Sequence, residues 1–410
     1  MSAPRFIASR LASGGGRLSR TSNTIAWVSV CLSLIVMIVA VAVVAGFKSE
    51  IRGRVAGFMG SVLLVQPGQS PINELYPFTE GQSYLEQVRA VPGVTSVSGV
   101  AWRSGLVKTA DNIDGLYFKG VDSLYDFSFF ENCLVEGEVP SYTGRISNDV
   151  MLSRMTARKL GFSVGDDVTV YFVGDEIKVR KFRLCGIFEA GFEEIDSRMA
   201  VADRRQVQRL NGWASDEVSS LEIRTVPNVA LDPIDRAVGE AVINSLEEED
   251  TYLFVTDIRK LYGHLFDWLN LLDFNVMMVL ALMILVAGFN MISAILIILF
   301  EQISTIGLLK SLGMTSREVS RVFLLRAGAI VGKGLLWGNI IGIGLCVLQR
   351  LTHVLKLNPE NYFVSFVPIR LQLPSLLLLN VVSALLILAI VSLSSRFISR
   401  VSPDKTMRME

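Results

Sequence analysis

The chain has little of what most catalytic and metal sites are made from. Its 410 residues include two histidines, His264 and His353, and four cysteines, Cys31, Cys133, Cys185 and Cys346, none in C-x-x-C spacing. That pattern argues against a zinc cluster or a disulfide scaffold, and Cys133 and Cys185 are expected as buried thiols. Charge is also scarce, at 19%, and 39 basic residues balance 39 acidic ones. No net field selects a nucleic acid or another polyanion as partner. The sequence has no G-x-S-x-G elbow and no H-E-x-x-H. Its Gly-Lys pair, Gly332-Lys333, is followed by Gly334, and Ala327 stands where a phosphate-binding loop begins with glycine. Neither local nucleophilic catalysis nor a P-loop nucleotide site has support. The acids Glu193, Glu194 and Asp196 read as an exposed turn rather than an acid–base pair.

Apolar residues are abundant instead, at 51%, with a mean hydropathy of +0.46. A wholly soluble globular fold is excluded on that ground. Charge-free runs cover Thr21 to Phe47, Phe274 to Phe300 and Leu371 to Ser395, each long enough to cross a bilayer as a helix. A fourth run, about Ala327 to Gln349, is entered through Arg326 and contains Lys333, a side chain long enough to snorkel toward the interface. The first run exceeds a signal-peptide core, so it is expected to stay as an anchor. Arg5, Arg10, Arg17 and Arg20 precede it with no acid among them, which places both ends of a four-span chain in the cytoplasm.

The residues between the first two spans hold most of the charge and the turn formers, enough for an inserted domain. Val62 to Gln66 reads as a strand, Glu80 to Ala90 as a helix, and Gly93 to Gly99 as a turn into a β-branched run. The pattern returns as a strand at Leu221 to Val226, an amphipathic helix from Asp232-Pro233 to Leu246, and a strand at Thr251 to Thr256. Between these halves, Asp167 to Val173 and Lys178 to Leu184 alternate about Gly174-Asp175 and predict a hairpin in a β-rich insert.

The expected fold is therefore membrane α-helical, with four transmembrane helices and a large α+β extracytoplasmic domain inserted between helices 1 and 2. The divisions are an N-terminal arm (1–24), helix 1 (25–47), the exterior domain (48–273), helix 2 (274–300), a cytoplasmic segment (301–321), helix 3 (322–349), a loop (350–370), helix 4 (371–395) and a tail (396–410). Within the exterior domain, the split α+β part covers about 60–106 and 214–260, and the insert 107–213.

Two features of the membrane part bear on function. Gly334, Gly338 and Gly342 recur every fourth residue in helix 3, the spacing of a face that packs closely on another helix, with or without sliding. In the cytoplasmic segment, Ile303, Ile306, Leu309 and Leu312 or Gly313 share one helical face beside Lys310, a stub that suits either the membrane surface or a groove on a partner.

Several stretches resemble a known family. They are Gly120-Val-Asp122; Ala157-Arg-Lys-Leu-Gly161 with Val164-Gly165-Asp166; Gly186-Ile-Phe-Glu-Ala-Gly-Phe-Glu-Glu-Ile-Asp196; the run Leu282 to Ser293; Ile306-Gly-Leu-Leu-Lys-Ser-Leu-Gly-Met314; and Pro359 to Pro368. Together they are similar to the permease subunits of lipoprotein-releasing ABC transporters, the LolC/LolE type, within the superfamily that includes MacB and FtsX. The resemblance implies an inner-membrane permease without a nucleotide site, whose large domain lies in the periplasm. It further implies a separate dimeric ABC ATPase that binds ATP and magnesium, a second permease copy or paralogue, acylated lipoprotein cargo drawn from the membrane lipid, and a periplasmic lipoprotein carrier. By the same resemblance Glu301, Ile306, Leu308, Leu309, Lys310, Leu312, Gly313 and Met314 dock the ATPase, and cargo enters between helices 1 and 2. Met37, Val41, Phe47, Phe274, Met277, Met278 and Met291 are then expected to line an adaptable apolar cargo surface, the alternative for the methionines being lipid-facing positions. Two other roles suit the same organisation: an FtsX-like scaffold that activates an envelope hydrolase, and MacB-like export of small molecules. The Pro359 to Pro368 segment and the large β insert favour lipoprotein release over the scaffold.

Overall fold

The computed structural model describes residues 17–109, 112–174, 176–227, 229–301, 311, 313–357, 364 and 366–398. The chain divides into two compact units: a helical one (Met1–Phe47, Leu269–Lys356 and Val367–Glu410) and a mixed one (Lys48–Trp268 with Leu357–Phe366).

Among the described residues four helices are long and apolar enough to cross a membrane, and an α+β domain is inserted between the first two. Each differs in extent from its charge-free run. The first, α1, covers Arg17–Met59; the second Gly263–Glu301; the third Ser316–Thr352; the fourth Leu373–Ile398. Helix 1 thus runs beyond the expected end at residue 47, and helix 2 starts before residue 274. Charge ends a bilayer-compatible run without ending a helix, and Glu50 and Arg54, one turn apart at 3.0 Å, support the extension. Helix 3 begins inside the segment expected to be non-membrane. Thr315 and Glu318 form a capping box there, the Glu318 carboxylate accepting from the Thr315 amide at 2.9 Å.

In the helical unit, one set of buried side chains gathers Ala26, Val30, Ala287, Met291, Ala327, Ile330 and Ile387, and a second gathers Leu34, Met37, Ile38, Ala42, Cys346 and Leu379. Apolar residues also cover the outer faces, as a lipid-immersed bundle requires.

The mixed unit is built on one ten-stranded sheet, with strands in chain order β1 (Val62–Val65), β3 (Val94–Lys108), β4 (Ile113–Val121), β5 (Leu134–Gly137), β6 (Asp149–Ser153), β7 (Asp167–Phe172), β8 (Lys178–Phe188), β9 (Met199–Asp203), β11 (Ser220–Thr225) and β12 (Phe254–Asp257). Phe78–Thr79 (β2) and Glu217–Val218 (β10) form a separate pair. The spatial order is β12-β1-β11-β3-β4-β9-β6-β8-β5, with β7 against β3 and β8. The long strand β3 joins the two parts: Val94 to Val100 pair with β11, and Ala101 to Lys108 pair with β4. The exchange falls at Val100/Ala101, one residue after Gly99 and inside an unbroken strand, so Val94 to Gly99, expected as a turn, are strand instead. The hairpin about Gly174 is β7 against β8, Val168 opposite Phe182.

Short helices cover this sheet: α2 (Leu85–Arg89), α3 (Ser128–Cys133), α4 (Arg154–Leu160), α5 (Glu193–Arg198), α6 (Arg204–Asn211), α7 (Leu231–Asn244) and α8 (Ile258–Leu261), so that Gly263–Glu301, Ser316–Thr352 and Leu373–Ile398 become α9, α10 and α11. Phe118, Phe172 and Phe182 pack with centroids 5.3 to 6.2 Å apart in the core of the insert. Arg204 ties the two parts together by pairing with Glu80 at 2.9 Å and Asp122 at 3.2 Å. Asp122 belongs to the Gly120-Val-Asp122 stretch, and the Cβ that Gly120 lacks would meet Arg204 Cα at 2.9 Å, so α6 can lie directly on the strand. Cys133 and Cys185 are free thiols and only partly buried. Burial, with Asp149 next in weight, pushes the Cys185 thiol up to about 12.

Candidate functional site

A helix that ends inside a protein must place its last carbonyls against donors. The stretch of α1 from Lys48 to Met59 meets this need with side chains of the mixed unit. The Gly60 amide donates to Ala56 O at 2.8 Å. Arg224 on β11 donates to Gly57 O at 2.9 Å. Lys119 on β4 donates to Phe58 O, to the Tyr125 hydroxyl at 2.8 Å and to Glu222 Oε2 at 2.7 Å. Two cations at a helix C-terminus also complement its dipole. Lys119 and Glu222 are wholly enclosed, and the ammonium lies 4.8 Å from the Phe58 ring centre and 4.9 Å from that of Tyr125. Phe58 itself packs edge-on to Phe130 at 5.8 Å and against Phe188 and Trp102 at 6.5 Å.

One turn earlier, Arg54 donates to Ala190 O. The loop that offers this carbonyl lies within the Gly186 to Asp196 stretch. Asp196 accepts from the Ala190 amide at 2.9 Å and the Gly191 amide at 2.7 Å, and Gly191, at φ +68°, leaves room for the Arg54 guanidinium. Asp196 is therefore buried, which corrects the reading of these three acids as one exposed turn. Glu193 and Glu194 are exposed, whereas Asp196 serves as the loop's internal acceptor. Burial raises its carboxyl above the usual range against the pull of the amides.

The start of α9 is held at the same place. Tyr262 donates to the Met59 sulfur at 3.1 Å, and its ring meets Phe192 edge-on at 5.7 Å. Just upstream, Asp257 caps α8, accepting from the Arg259 amide at 2.7 Å and the Lys260 amide at 3.1 Å. Arg259 joins Asp257 at 2.7 Å, Asp232 at 2.8 Å and Asp235 at 3.4 Å. Burial, then the Asp257 hydrogen bond and charge, pushes the Asp235 carboxyl up to about 7. Burial works to raise Asp257 too, but Arg259, the bond with Asp235 and the Lys260 amide outweigh it and hold that carboxyl well below the usual range. The ends of helices 1 and 2 thus meet in one knot of buried aromatic rings and paired charges. Sequence periodicity did not single out Lys119, Glu222, Arg224 or Tyr262.

In the helical unit the glycine face of α10 lies on α1. A Cβ on Gly334 would come within 2.7 Å of Val30 Cβ and 3.0 Å of Trp27 O. On Gly338 it would come within 2.9 Å of Leu34, and on Gly342 within 3.2 Å of Ile38. Gly328, Gly332 and Gly344 face open space. Polar pairs add to the packing: Asn290 donates to Ser29, and Asn339 and Asn380 exchange bonds of 2.6 and 3.0 Å between α10 and α11. These asparagines were missed, although an amide inside an apolar run is itself a signal.

The expected cargo residues separate into two groups. Phe274, Met277 and Met278 are exposed on one face of α9, Met277 at 70%. Met37 and Met291, at 1% and 0%, are enclosed by neighbouring helices, Phe47 is buried and Val41 is half-buried. Met37 and Met291 therefore act as packing in this arrangement and form no outer surface with Met277. Of the expected docking residues, Ile306, Leu308, Leu309, Lys310 and Leu312 lie outside the described residues. Glu301 ends α9, Gly313 is exposed at φ +94°, and Met314 is half-buried and packs against the bundle core. Among the described residues no group of three or more His, Cys, Asp or Glu side chains gathers to hold a metal.

Comparison with known proteins agrees with this architecture. Residues 24–241 match the MacB-like periplasmic core domain, and residues 277–403 match the FtsX-like permease C-terminal family. Relatives of similar length are the lipoprotein-releasing system transmembrane protein LolC of Xylella fastidiosa (23% identical, covering 96% of this chain and 97% of that one) and LolC of Neisseria meningitidis serogroup B (22%, covering 93% and 92%). LolE of Haemophilus influenzae is 21% identical, covering 84% of each chain. The chain belongs to the family of the MacB-like periplasmic core domain, joined here to an FtsX-like permease region, and it is an ABC-transporter permease similar along most of its length to LolC and LolE.

Proposed function

We propose that this permease extracts acylated lipoproteins from the outer leaflet of the inner membrane and passes them to a periplasmic carrier, using ATP hydrolysed by a separate subunit. The observation that carries this reading is the shared anchorage of α1 and α9: Lys119 and Arg224 hold the last carbonyls of α1, and Tyr262 holds Met59. Each of these helices is continuous with a membrane-crossing stretch, so a displacement along either one acts on the mixed unit. Work of that kind suits the task. Lifting acyl chains from a bilayer costs about 0.8 kcal/mol per CH₂, on the order of 10 kcal/mol for each chain of a dozen methylenes.

In this reading the 301–314 segment docks the ATPase, with Leu309 and Lys310 at its centre, and ATP and magnesium are bound there by the partner. A second copy or a paralogue completes the pair, and Phe274, Met277 and Met278 offer an apolar face to the incoming chains. The test is purification of the chain from its native membrane in mild detergent, with mass spectrometry of what accompanies it. Recovery of an ABC ATPase with acylated lipoproteins supports extraction. Recovery of the ATPase with a cell-wall hydrolase and no lipoprotein would replace it with the FtsX-like scaffold.

A further inference from the structure

Beside the end of α1, the mixed unit encloses a cavity of about 490 Å³, a size typical of small-molecule sites. One wall is a single face of α1: Ser49, Arg52, Gly53, Ala56 and Gly57, spaced by three and four residues. The opposite side supplies Arg224 and Thr225 from β11, Thr95 from β3, and Ser128 and Asn132 from α3. Val226, Pro227, Val229, Leu231 and Phe129 complete the lining with apolar surface. The lining is thus mixed, with one guanidinium group from α1 and one from β11, several hydroxyl and amide groups, and aliphatic and aromatic side chains. Its charged residues are Arg52, Arg224 and Asp126, the last paired with Arg224 at 3.3 Å, so the lining counts one more basic than acidic side chain.

We propose that this cavity holds the phosphodiester headgroup of a bilayer phospholipid. Guanidinium forks with hydroxyl donors match phosphate oxygens, and the apolar part of the lining matches the glycerol ester and the first methylenes. The level along α1 agrees. The charge-free run ends at Phe47, and at about 1.5 Å per residue Ser49 to Gly57 extend from about 3 to 15 Å beyond it, starting within the headgroup layer. A bound lipid would wedge α1 against β11 next to Arg224, and so would adjust the helix anchorage without taking part in cargo extraction.

The experiment uses the full chain in nanodiscs of phosphatidylcholine with phosphatidylglycerol, followed by native mass spectrometry to count the phospholipid kept after gentle activation. One phospholipid retained by the wild type is expected, with retention about tenfold lower in Arg52→Gln, the effect of losing one charge-assisted contact. Val226→Glu, which adds a negative charge at an exposed position on the rim, should lower retention similarly without altering either arginine, and it decides the matter if Arg52→Gln does not fold. Inorganic phosphate at millimolar concentration should leave the lipid in place, and diacylglycerol should not be retained. Equal retention in the variants, displacement by inorganic phosphate, or equal retention of diacylglycerol would each overturn the proposal.

Discussion

Lys119 and Glu222, on β4 and β11, form a 2.7 Å ion pair sealed from solvent, and the same ammonium donates to the carbonyl of Phe58 near the end of helix 1. A buried pair of this kind is costly to break from one side, because the remaining charge has no solvent to turn to.

Lys119→Met should therefore destabilise the protein by about 3–5 kcal/mol. The double change Lys119→Met with Glu222→Leu should recover much of that loss while leaving Phe58 O without its ammonium donor. Thermal unfolding of the purified chain gives the stability, and ATP-dependent lipoprotein release gives the coupling. The account expects the double variant to be stable yet defective in release.

The glycine seam yields a contrast within one helix. Gly338→Leu drives side-chain atoms into Leu34 and the Cys31 carbonyl, and should cost about 1–3 kcal/mol or separate the helices. Gly344→Ala, facing open space in the same helix, should be neutral or stabilising by up to about 1 kcal/mol. Unfolding in detergent and cysteine cross-linking between α1 and α10 would read both.

The acid cluster before helix 2 predicts a pH dependence. Asp235 keeps its proton to about pH 7, whereas an unfolded aspartate releases it near pH 4. Between these values the folded state binds more protons, so this carboxyl's contribution to stability is present at acid pH and fades as pH rises toward 7. Asp257 works the other way, its contribution being lost as pH falls below about 4. Asp232, Arg259 and Lys260 are the other charged groups in the cluster. Asp235→Asn should raise stability above pH 7 by on the order of 1–3 kcal/mol and flatten the profile between pH 4 and 7. Melting temperatures across that range check it.

For the partner subunit, Leu309→Asp places a charge on the apolar face of the proposed docking segment. Association with the ATPase should fall at least tenfold, about 1.4 kcal/mol, with loss of stimulated hydrolysis. Retained association would remove Leu309 from the interface.

Much of the fold was legible because its signals are local. The charge-free runs marked the spans, and alternation about Gly174 marked the β7–β8 hairpin. What escaped depends on surroundings that no local pattern encodes. Lys119 and Glu222 sit at positions that alternation assigns to a solvent face, yet here both faces of the strands are covered. Met37 and Met277 lie in equally apolar helices, so only the neighbours decide that one is enclosed and the other exposed. The extension of helix 1 past Lys48 was hidden for a related reason, since charge reports the end of the apolar stretch and not of the hydrogen-bond ladder.

The most direct test of the central claim reconstitutes the chain with its ATPase partner and an acylated lipoprotein in proteoliposomes, and measures the lipoprotein released to a soluble carrier. The account predicts release that requires ATP and is abolished in the stable Lys119→Met, Glu222→Leu double variant while ATP hydrolysis continues. Hydrolysis with all lipoprotein left in the membrane of the wild-type system, or undiminished release in that variant, would contradict it.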